Sequence, residues 1–276
     1  MSSPPLELQA AILGLVQGIC EFLPISSSAH LVVLPEILGW PYLGKAFDVA
    51  LHAGTLLALT HHFRDDLREL GRAGQRLVFS GGRARDPGAR LVTLLLVGTV
   101  PAAVAGFFLD KLLEPHLQGL LPIALFSIIW GVLLGWVEQE QKPDSAHTTL
   151  DALPLGTAFL IGCAQAAALL PGTSRTGVTM MAALVVGLSR PAAARFSLLL
   201  SLPVVAGATL WKGWSAAASA EGLEWQVVLA GVSCSALAGG LCLRNFLVYL
   251  EHGDLRPFAV YRVAFGIAVL WYWLNS

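Results

Sequence analysis

Charged residues are scarce in this chain. They make up 13% of its 276 residues, against 55% hydrophobic, where soluble domains carry about 25% charge, and this argues against a single water-soluble domain. Neither sign of charge is in excess. The 17 Lys+Arg stand against 18 Asp+Glu for a net charge of −1, so the basic surface with which nucleic-acid binders neutralise phosphates is missing and no nucleic-acid partner is expected. Cysteine is sparse and scattered. Cys20, Cys163, Cys234 and Cys242 lie in apolar stretches without Cys-x-x-Cys or Cys/His spacing, which points away from a zinc site or disulfide framework and leaves packing as their role. The opening MSSPPLELQ has no Lys or Arg, and the apolar run after it leads into PISSSAH, not a cleavage site, so no removable secretory signal is expected. No long polar stretch divides the chain into two cores, and residues 1–276 read as one membrane domain.

What is present is a series of apolar runs. A spanning helix needs roughly 17 to 25 mostly apolar residues, and six runs approach that: 47–63, 91–109, 121–137, 196–211, 227–243 and 257–274. Two further stretches, 8–38 and 153–188, are interrupted by LPISSSAH and LPGTSRTG. Proline removes a helix donor and disfavours helix in the residue before it, while Ser and Thr cap new helix starts. Each stretch therefore reads as two half-helices with a break between them. The fold class expected is an all-α polytopic membrane protein, with six full spans and two broken re-entrant helix pairs.

An offset of 147 sets Leu23 on Leu170, Pro24 on Pro171, Ser27 on Ser174 and Ser28 on Arg175, and Phe47 falls near Phe196 at an offset of 149. The halves, about 8–137 and 153–274, then share one pattern of broken pair, span, loop and two spans, as in duplicated membrane proteins. Orientation follows from Lys and Arg. The 64–90 connector holds Arg64, Arg68, Arg72, Arg76, Arg83, Arg85 and Arg90 and is placed in the cytoplasm. Three spans per half then put Lys142, Arg190, Arg195, Arg244 and Arg256 inside as well, with Lys45, Lys111 and Lys212 outside. On this reading the repeats are inverted, and their breaks meet near mid-membrane.

Backbone left unpaired at membrane depth survives only where it is buried in protein or lines a wet cavity, so the breaks are where function is expected. The first reads QGICEFLPISSSAHL, Gln17 to Leu31, and the second LLPGTSRTGVT, Leu169 to Thr179. Gln17 and Glu21 share a helix face. Ser26 to Ser28, and Thr173 and Ser174, can cap the half-helices that follow, whose N-termini would turn positive dipole ends toward the same cavity. An anion is the expected occupant, with Arg175 supplying a fork suited to phosphate oxygens. For Ser26 and Ser28 capping is the simpler role, whereas Ser27 points to chemistry. His30 can bond a backbone carbonyl or face Ser27 one turn away. Glu21 and Arg175 are ionisable groups in an apolar setting, where such groups are costly and usually functional; a structural ion pair is the alternative. Asp48 and His52, four apart on one face, can border the cavity or mark the outer interface, with the interface favoured; Arg262 is read as snorkelling from the 257 end, and Trp211, Trp214, Trp271 and Trp273 as interfacial anchors. The connector is given no chemistry, though its charges suit anionic headgroups. Small residues such as Ala216 to Ala218 and Gly239-Gly240 permit close helix packing.

At these breaks the chain resembles the integral-membrane bacitracin-resistance family of undecaprenyl-diphosphate phosphatases. That family carries a Glu/Gln-xxx-Glu motif followed by Pro-x-Ser-Ser and a His, and separately a PGxSRSxxT motif. The first stands here as Gln17, Glu21, Pro24, Ser26, Ser27 and His30, and the second as Pro171, Gly172, Ser174, Arg175 and Thr179. Thr176 replaces the usual second serine of SRS, Ser28 and Ala29 replace a common Thr-Gly, and Gln17 is the neutral option at its position. The resemblance implies hydrolysis of undecaprenyl diphosphate to undecaprenyl phosphate and inorganic phosphate, which recycles the lipid carrier for cell-wall synthesis and confers resistance to bacitracin. It also implies a divalent cation, Mg2+ or Ca2+, and a site in the bacterial inner membrane open to the periplasm. The catalytic residues expected at the breaks are Ser27 as nucleophile, His30 as its base, Glu21 and Arg175, with direct attack by an activated water and Ser27 only binding phosphate as the alternative. Gly172, Thr173, Ser174, Thr179 and Ser26 are the expected substrate contacts, and Glu21 with Gln17 the cation ligands. Membrane lipids are its surroundings, and a homodimer is compatible with the sequence. The rival class is a lipid-phosphate flippase or anion transporter of inverted-repeat type, which needs charge complementarity but no nucleophile and base.

Overall fold

The computed structural model of the chain describes residues 4–84, 86–117, 119–141, 148–219 and 224–276, with the side chains of 109–117 and 212–219 left undescribed. Arg85 and Lys142, and the side chains of Lys111, Lys212, Trp214 and Ala216 to Ala218, thus lie outside the described residues. Among the described residues there are eleven α-helices: α1 Leu6–Phe22, α2 Ser27–Leu38, α3 Lys45–His62, α4 Arg64–Phe79, α5 Pro87–Leu117, α6 Leu120–Gln139, α7 Leu155–Ala166, α8 Arg175–Val185, α9 Arg190–Ser219, α10 Trp225–Tyr249 and α11 Arg256–Asn275. Single 3-10 turns precede and follow α7 at Leu150–Ala152 and Ala167–Leu169.

Five helices are long and apolar enough to cross a membrane: Pro87–Phe108 of α5, α6, Arg190–Trp211 of α9, α10 and α11. They contain five of the six expected spans. The sixth, 47–63, is α3, helical over 18 residues but diluted by Lys45, Asp48, His52, His61 and His62, so it falls short of the apolarity of the five. The chain is a multi-pass membrane protein, and its surface agrees with lipid as solvent. Leu237, Leu160, Val260 and Phe107 stand exposed, where a water-soluble protein would place charge.

The breaks form where the sequence forces them. Leu23, before Pro24, is extended at φ −76° and ψ 150° and ends α1, as the proline ring requires. Ser26 and Ser174 then adopt left-handed φ of 74° and 64°, the two non-glycine residues to do so among those described, and α2 and α8 begin directly after them. Such a conformation costs on the order of 1–3 kcal/mol and persists only where the surroundings over-determine it. These two serines lie 148 apart, one more than the offset that set Ser27 against Ser174. Gly172, at φ +79°, adds a residue between the second proline and its strained serine, a backbone position open to glycine but not to a β-carbon facing the Ile123 carbonyl at 2.8 Å.

The helices pack closely through small residues. The main contacts are α1 on α10, α7 on α5, α3 on α10 and α9, and α6 on α11. A β-carbon at Gly14 would sit 2.2 Å from the Gly231 carbonyl oxygen, and one at Gly162 would sit 2.1 Å from that of Gly98. Likewise, Gly131 faces Val263 on α11 while Gly266 faces Ile128 on α6. Bare backbone against backbone is how membrane helices gain van der Waals contact when lipid removes the hydrophobic drive between them. The amphipathic α4 lies outside this bundle, joined to α9 by the Asp66–Arg195 ion pair and to the start of α5 by Arg76–Asp86 at 2.7 Å.

Candidate active site

Both breaks converge on one carboxylate. Glu21 occupies the last turn of α1 at 9% exposure. Its Oε2 accepts from the Ser27 hydroxyl at 2.6 Å and from the Gln17 amide at 3.0 Å. Its Oε1 accepts from the Arg175 guanidinium at the start of α8, and its backbone carbonyl accepts from the Thr176 hydroxyl at 3.1 Å. Residues 154 positions apart are thus held within one hydrogen-bonded cluster. A carboxylate so buried is stable as an anion only when paired and hydrogen-bonded, and the cluster meets that condition. The cation beside it and the hydroxyl that donates to it are also what a phosphoryl group needs for binding and attack.

A small cleft adjoins this cluster, lined by Glu21, Phe22, Arg175 and Thr176 on the site side and by Thr55, Leu56, Leu59, Ser201 and Val205 on α3 and α9. His52, one helical turn before Thr55, brings Nε2 to 3.6 Å from Glu21 Oε2, and its Nδ1 donates to the Asp48 carbonyl at 2.8 Å. Of the two positions open to His52, cavity border or outer interface, it takes the first, because α3 packs against α9 and α1 beside the break.

His30 sits elsewhere than expected. Its Nδ1 meets the Ser26 carbonyl at 2.7 Å and its Nε2 the Tyr261 hydroxyl at 2.6 Å, while its ring stacks on Phe265 at 4.4 Å between centroids. The Ser27 hydroxyl therefore donates to Glu21, and both imidazole nitrogens are engaged by other partners. Of the two roles open to His30, the backbone-carbonyl bond is the one formed. Ser26 makes no side-chain cap; its hydroxyl lies 3.3 Å from that of Ser28. In the second break Ser174 does cap, accepting from the Gly177 N–H at 3.2 Å. Thr179 donates to the Arg175 carbonyl at 2.8 Å and so bonds its own helix. Thr173 is fully buried with no protein partner for its hydroxyl.

Arg262 is the largest correction. It does not snorkel: it is 1% exposed, and its guanidinium donates to the Pro24 carbonyl at 3.0 Å and the Gly172 carbonyl at 2.7 Å. Hydropathy measured only its distance from a helix end, whereas the face of α11 it occupies turns inward. Tyr261 and Phe265, on the same helix, were missed for the same reason. An arginine within an apolar run was the signal that could have found them.

For a divalent cation the oxygen donors are the Glu21 carboxylate and Gln17 Oε1, the latter buried with no hydrogen-bond partner. No group of three or more His, Cys, Asp or Glu capable of holding a metal occurs among the described residues. That donor set is too small for a closed protein cage but fits Mg2+, which is usually held by one or two carboxylates together with waters and substrate phosphates.

Comparison with known proteins places the whole chain. The chain is 42% identical over 263 residues to the undecaprenyl-diphosphatase of Hahella chejuensis, covering 95% of this chain and 97% of the relative. It is 44% identical over 260 residues to that of Teredinibacter turnerae, covering 94% and 97%, and 43% identical over 267 residues to that of Alcanivorax borkumensis, covering 96% and 98%. The family described as bacitracin resistance protein BacA matches residues 10–268, which include both breaks and the Tyr261–Phe265 face of α11. With that span and those identities over nearly the whole length, the chain belongs to the bacitracin resistance protein BacA family.

Proposed function

We propose that this membrane protein hydrolyses undecaprenyl diphosphate to undecaprenyl phosphate and inorganic phosphate, and so returns the lipid carrier to cell-wall synthesis and protects against bacitracin. The observation that carries the mechanism is the Ser27 hydroxyl at 2.6 Å from Glu21 Oε2, with Arg175 on the other carboxylate oxygen. Serine is a weak nucleophile until an adjacent base takes its proton, and Glu21 is the base in hydrogen-bond reach.

The Ser27 oxygen attacks the terminal phosphorus, its proton passes to Glu21 Oε2, and the bond from phosphorus to the bridging oxygen breaks with its electron pair leaving on undecaprenyl phosphate. Water then cleaves the phosphoserine, giving inorganic phosphate and restoring the serine hydroxyl. Arg175 turns from Glu21 to the incoming phosphoryl oxygens, whose charge its fork matches. Thr173 and the Ser174 end of α8 add hydrogen-bonding groups on that side. Gln17 Oε1 and Glu21 would hold Mg2+ or Ca2+, which when bound offsets charge on the diphosphate. His30 supports the nucleophile at one remove, because its bond to the Ser26 carbonyl fixes the strained residue before Ser27.

Paired packing supports an inverted repeat around this site. Gly14 and Gly162 are 148 apart, as are Ser26 and Ser174, and they meet Gly231 on α10 and Gly98 on α5 respectively. Across α6 and α11, Gly131 meets Val263 and Gly266 meets Ile128, both pairs related by the same shift of 135. The chemistry is not repeated: at the 148 offset Glu21 corresponds to Leu169 and Ser27 to Arg175. A carrier cycling between two equivalent states has no use for a nucleophile and base in one half alone, which favours the enzyme over the flippase. The arginine-rich connector sets this reading with the first break open to the periplasm.

Phosphate release from undecaprenyl diphosphate by purified protein in detergent, with and without chelator, tests the proposal. Wild type releases phosphate in a cation-dependent manner, and Ser27→Ala and Arg175→Ala lose about 10³-fold or more, in line with removal of a nucleophile or a charge-stabilising group. Activity retained in Ser27→Ala would sink the covalent route, and no release by folded wild type would sink the reaction itself.

A further inference from the structure

We propose that Arg262 is a positioning residue for this reaction: one buried guanidinium that holds the two helix breaks in register, so that Ser27 and Arg175 meet at the same phosphoryl group. The inference rests on the roles given to Ser27 and Arg175 above.

The two carbonyls it binds belong to different breaks, at Pro24 and Gly172. Each lies two residues before a serine at left-handed φ, Ser26 and Ser174, and each of those serines is followed at once by a reacting side chain, Ser27 or Arg175. A carbonyl at a break has lost its helical partner and must be satisfied inside the protein. Arg262 satisfies one with Nη1 and the other with Nη2, and because the guanidinium is planar and rigid the two acceptors cannot shift independently. Among the described residues no carboxylate lies within ion-pair distance of it. A fully buried charge without a counter-ion is costly, and two carbonyl bonds that could have been made by neutral donors do not explain its retention. Fixing two loops with one rigid fork does.

The surroundings are shaped for this fork. Gly131 on α6 lets α11 approach so closely that an added β-carbon would lie 2.9 Å from that of Arg262, and Gly177 on α8 leaves room beside Nη1 and Pro24. From the same helix, Tyr261 and Phe265 hold the His30 ring, which in turn holds the Ser26 carbonyl. The first break is therefore pinned to α11 at two points and the second at one. Ser27 and Arg175 come from separate half-helices and share only the Glu21 contact, so the fork fixes their separation when Arg175 leaves Glu21 for the substrate.

The test is steady-state kinetics on undecaprenyl diphosphate with Arg262→Lys, which keeps the charge but not the fork, alongside wild type and Ser27→Ala. A displacement of about 1 Å at reacting groups costs on the order of 10²-fold. The expected result is a kcat lower by about that factor, a KM within about three-fold of wild type, and an unchanged elution profile. Wild-type kcat in Arg262→Lys overturns the proposal, as does a raised KM at unchanged kcat, which would make Arg262 a substrate ligand. Gly131→Ala perturbs the same clamp without removing the guanidinium and covers the case in which Arg262→Lys does not fold. It is expected to lower kcat several-fold at constant KM, and unchanged kcat overturns the clamp. Activity in Ser27→Ala would instead bring down the nucleophile assignment, so the two failures are distinguishable.

Discussion

Glu21 carries two assignments that pull in different directions, base and cation ligand, and its two oxygens offer a way to separate them. Oε2 faces Ser27 and Oε1 faces Arg175. Replacing the carboxylate by an amide of nearly the same shape keeps the cluster but removes the proton acceptor. Glu21→Gln is therefore expected to lower kcat by about 10² to 10⁴, the usual worth of a positioned general base, at every cation concentration. Recovery of wild-type kcat at high Mg2+ would show that cation affinity, not proton transfer, was lost. Much of this cluster was legible in the sequence, because Gln17, Glu21, Ser27 and Arg175 are polar or ionisable residues at interruptions of apolar runs, and hydrocarbon tolerates such residues only for cause. What could not be read was direction. Spacing allowed His30 to face Ser27 or a carbonyl, and only the packing of α11 turns its ring to Tyr261 and Phe265. Likewise, hydropathy could not tell that His52 and Arg262 point inward.

At the scale of the element, glycines do two different things, and α7 separates them within one helix. Gly162 is where α7 touches α5, with a β-carbon 2.1 Å from the Gly98 carbonyl, whereas Gly156 meets nothing within 4 Å. Gly162→Ala forces two backbones apart and is expected to cost about 1–3 kcal/mol, seen as a lower melting temperature in detergent. Gly156→Ala in the same helix should leave it unchanged or slightly raised. Equal effects at both positions would mean that helix propensity, and not close approach, governs α7. The connector allows an independent check outside the membrane. The Arg76 hydrogen bond holds the Asp86 carboxyl below its ordinary value of 3.8. A carboxyl depressed in the folded state contributes stability above its unfolded pKa and loses it as pH falls through the folded one, so the anchorage of α4 to α5 is expected to weaken only in strong acid. Arg76→Ala should return the Asp86 titration, followed by carboxyl NMR, toward 3.8. The breaks and five spans could be foreseen from composition. In α3 the signal by which a span is recognised is weaker, because polar residues, among them the site-facing His52, dilute its apolar run.

At the scale of the whole molecule, the placement of Lys and Arg makes a testable prediction of which compartment the site faces. On the proposed topology the first broken pair returns to the side from which it enters and α3 crosses, so the α2–α3 junction and the connector after α3 are expected on opposite faces of the membrane. Glu36, near the end of α2, and Arg83, in the connector, are both exposed. In intact cells, a membrane-impermeant maleimide is expected to label Glu36→Cys directly and Arg83→Cys only after the membrane is opened. Both variants are made with Cys163→Ser, since Cys163 is exposed, while Cys20 is buried and Cys234 and Cys242 are half-buried. The reverse labelling would place the site toward the cytoplasm and require the lipid diphosphate to reach it from that leaflet. Labelling of both from outside would mean that α3 does not cross the bilayer, which would leave the first half a span short and remove the inverted relation between the halves. The paired contacts of Gly14 with Gly231 and Gly162 with Gly98 would then need another cause. The expected pattern instead ties the proposed repeat to function: strained serines and bare glycines recur at matching offsets, and on this reading the residues that differ between the halves set the carboxylate and hydroxyl on one side of the substrate and the guanidinium on the other.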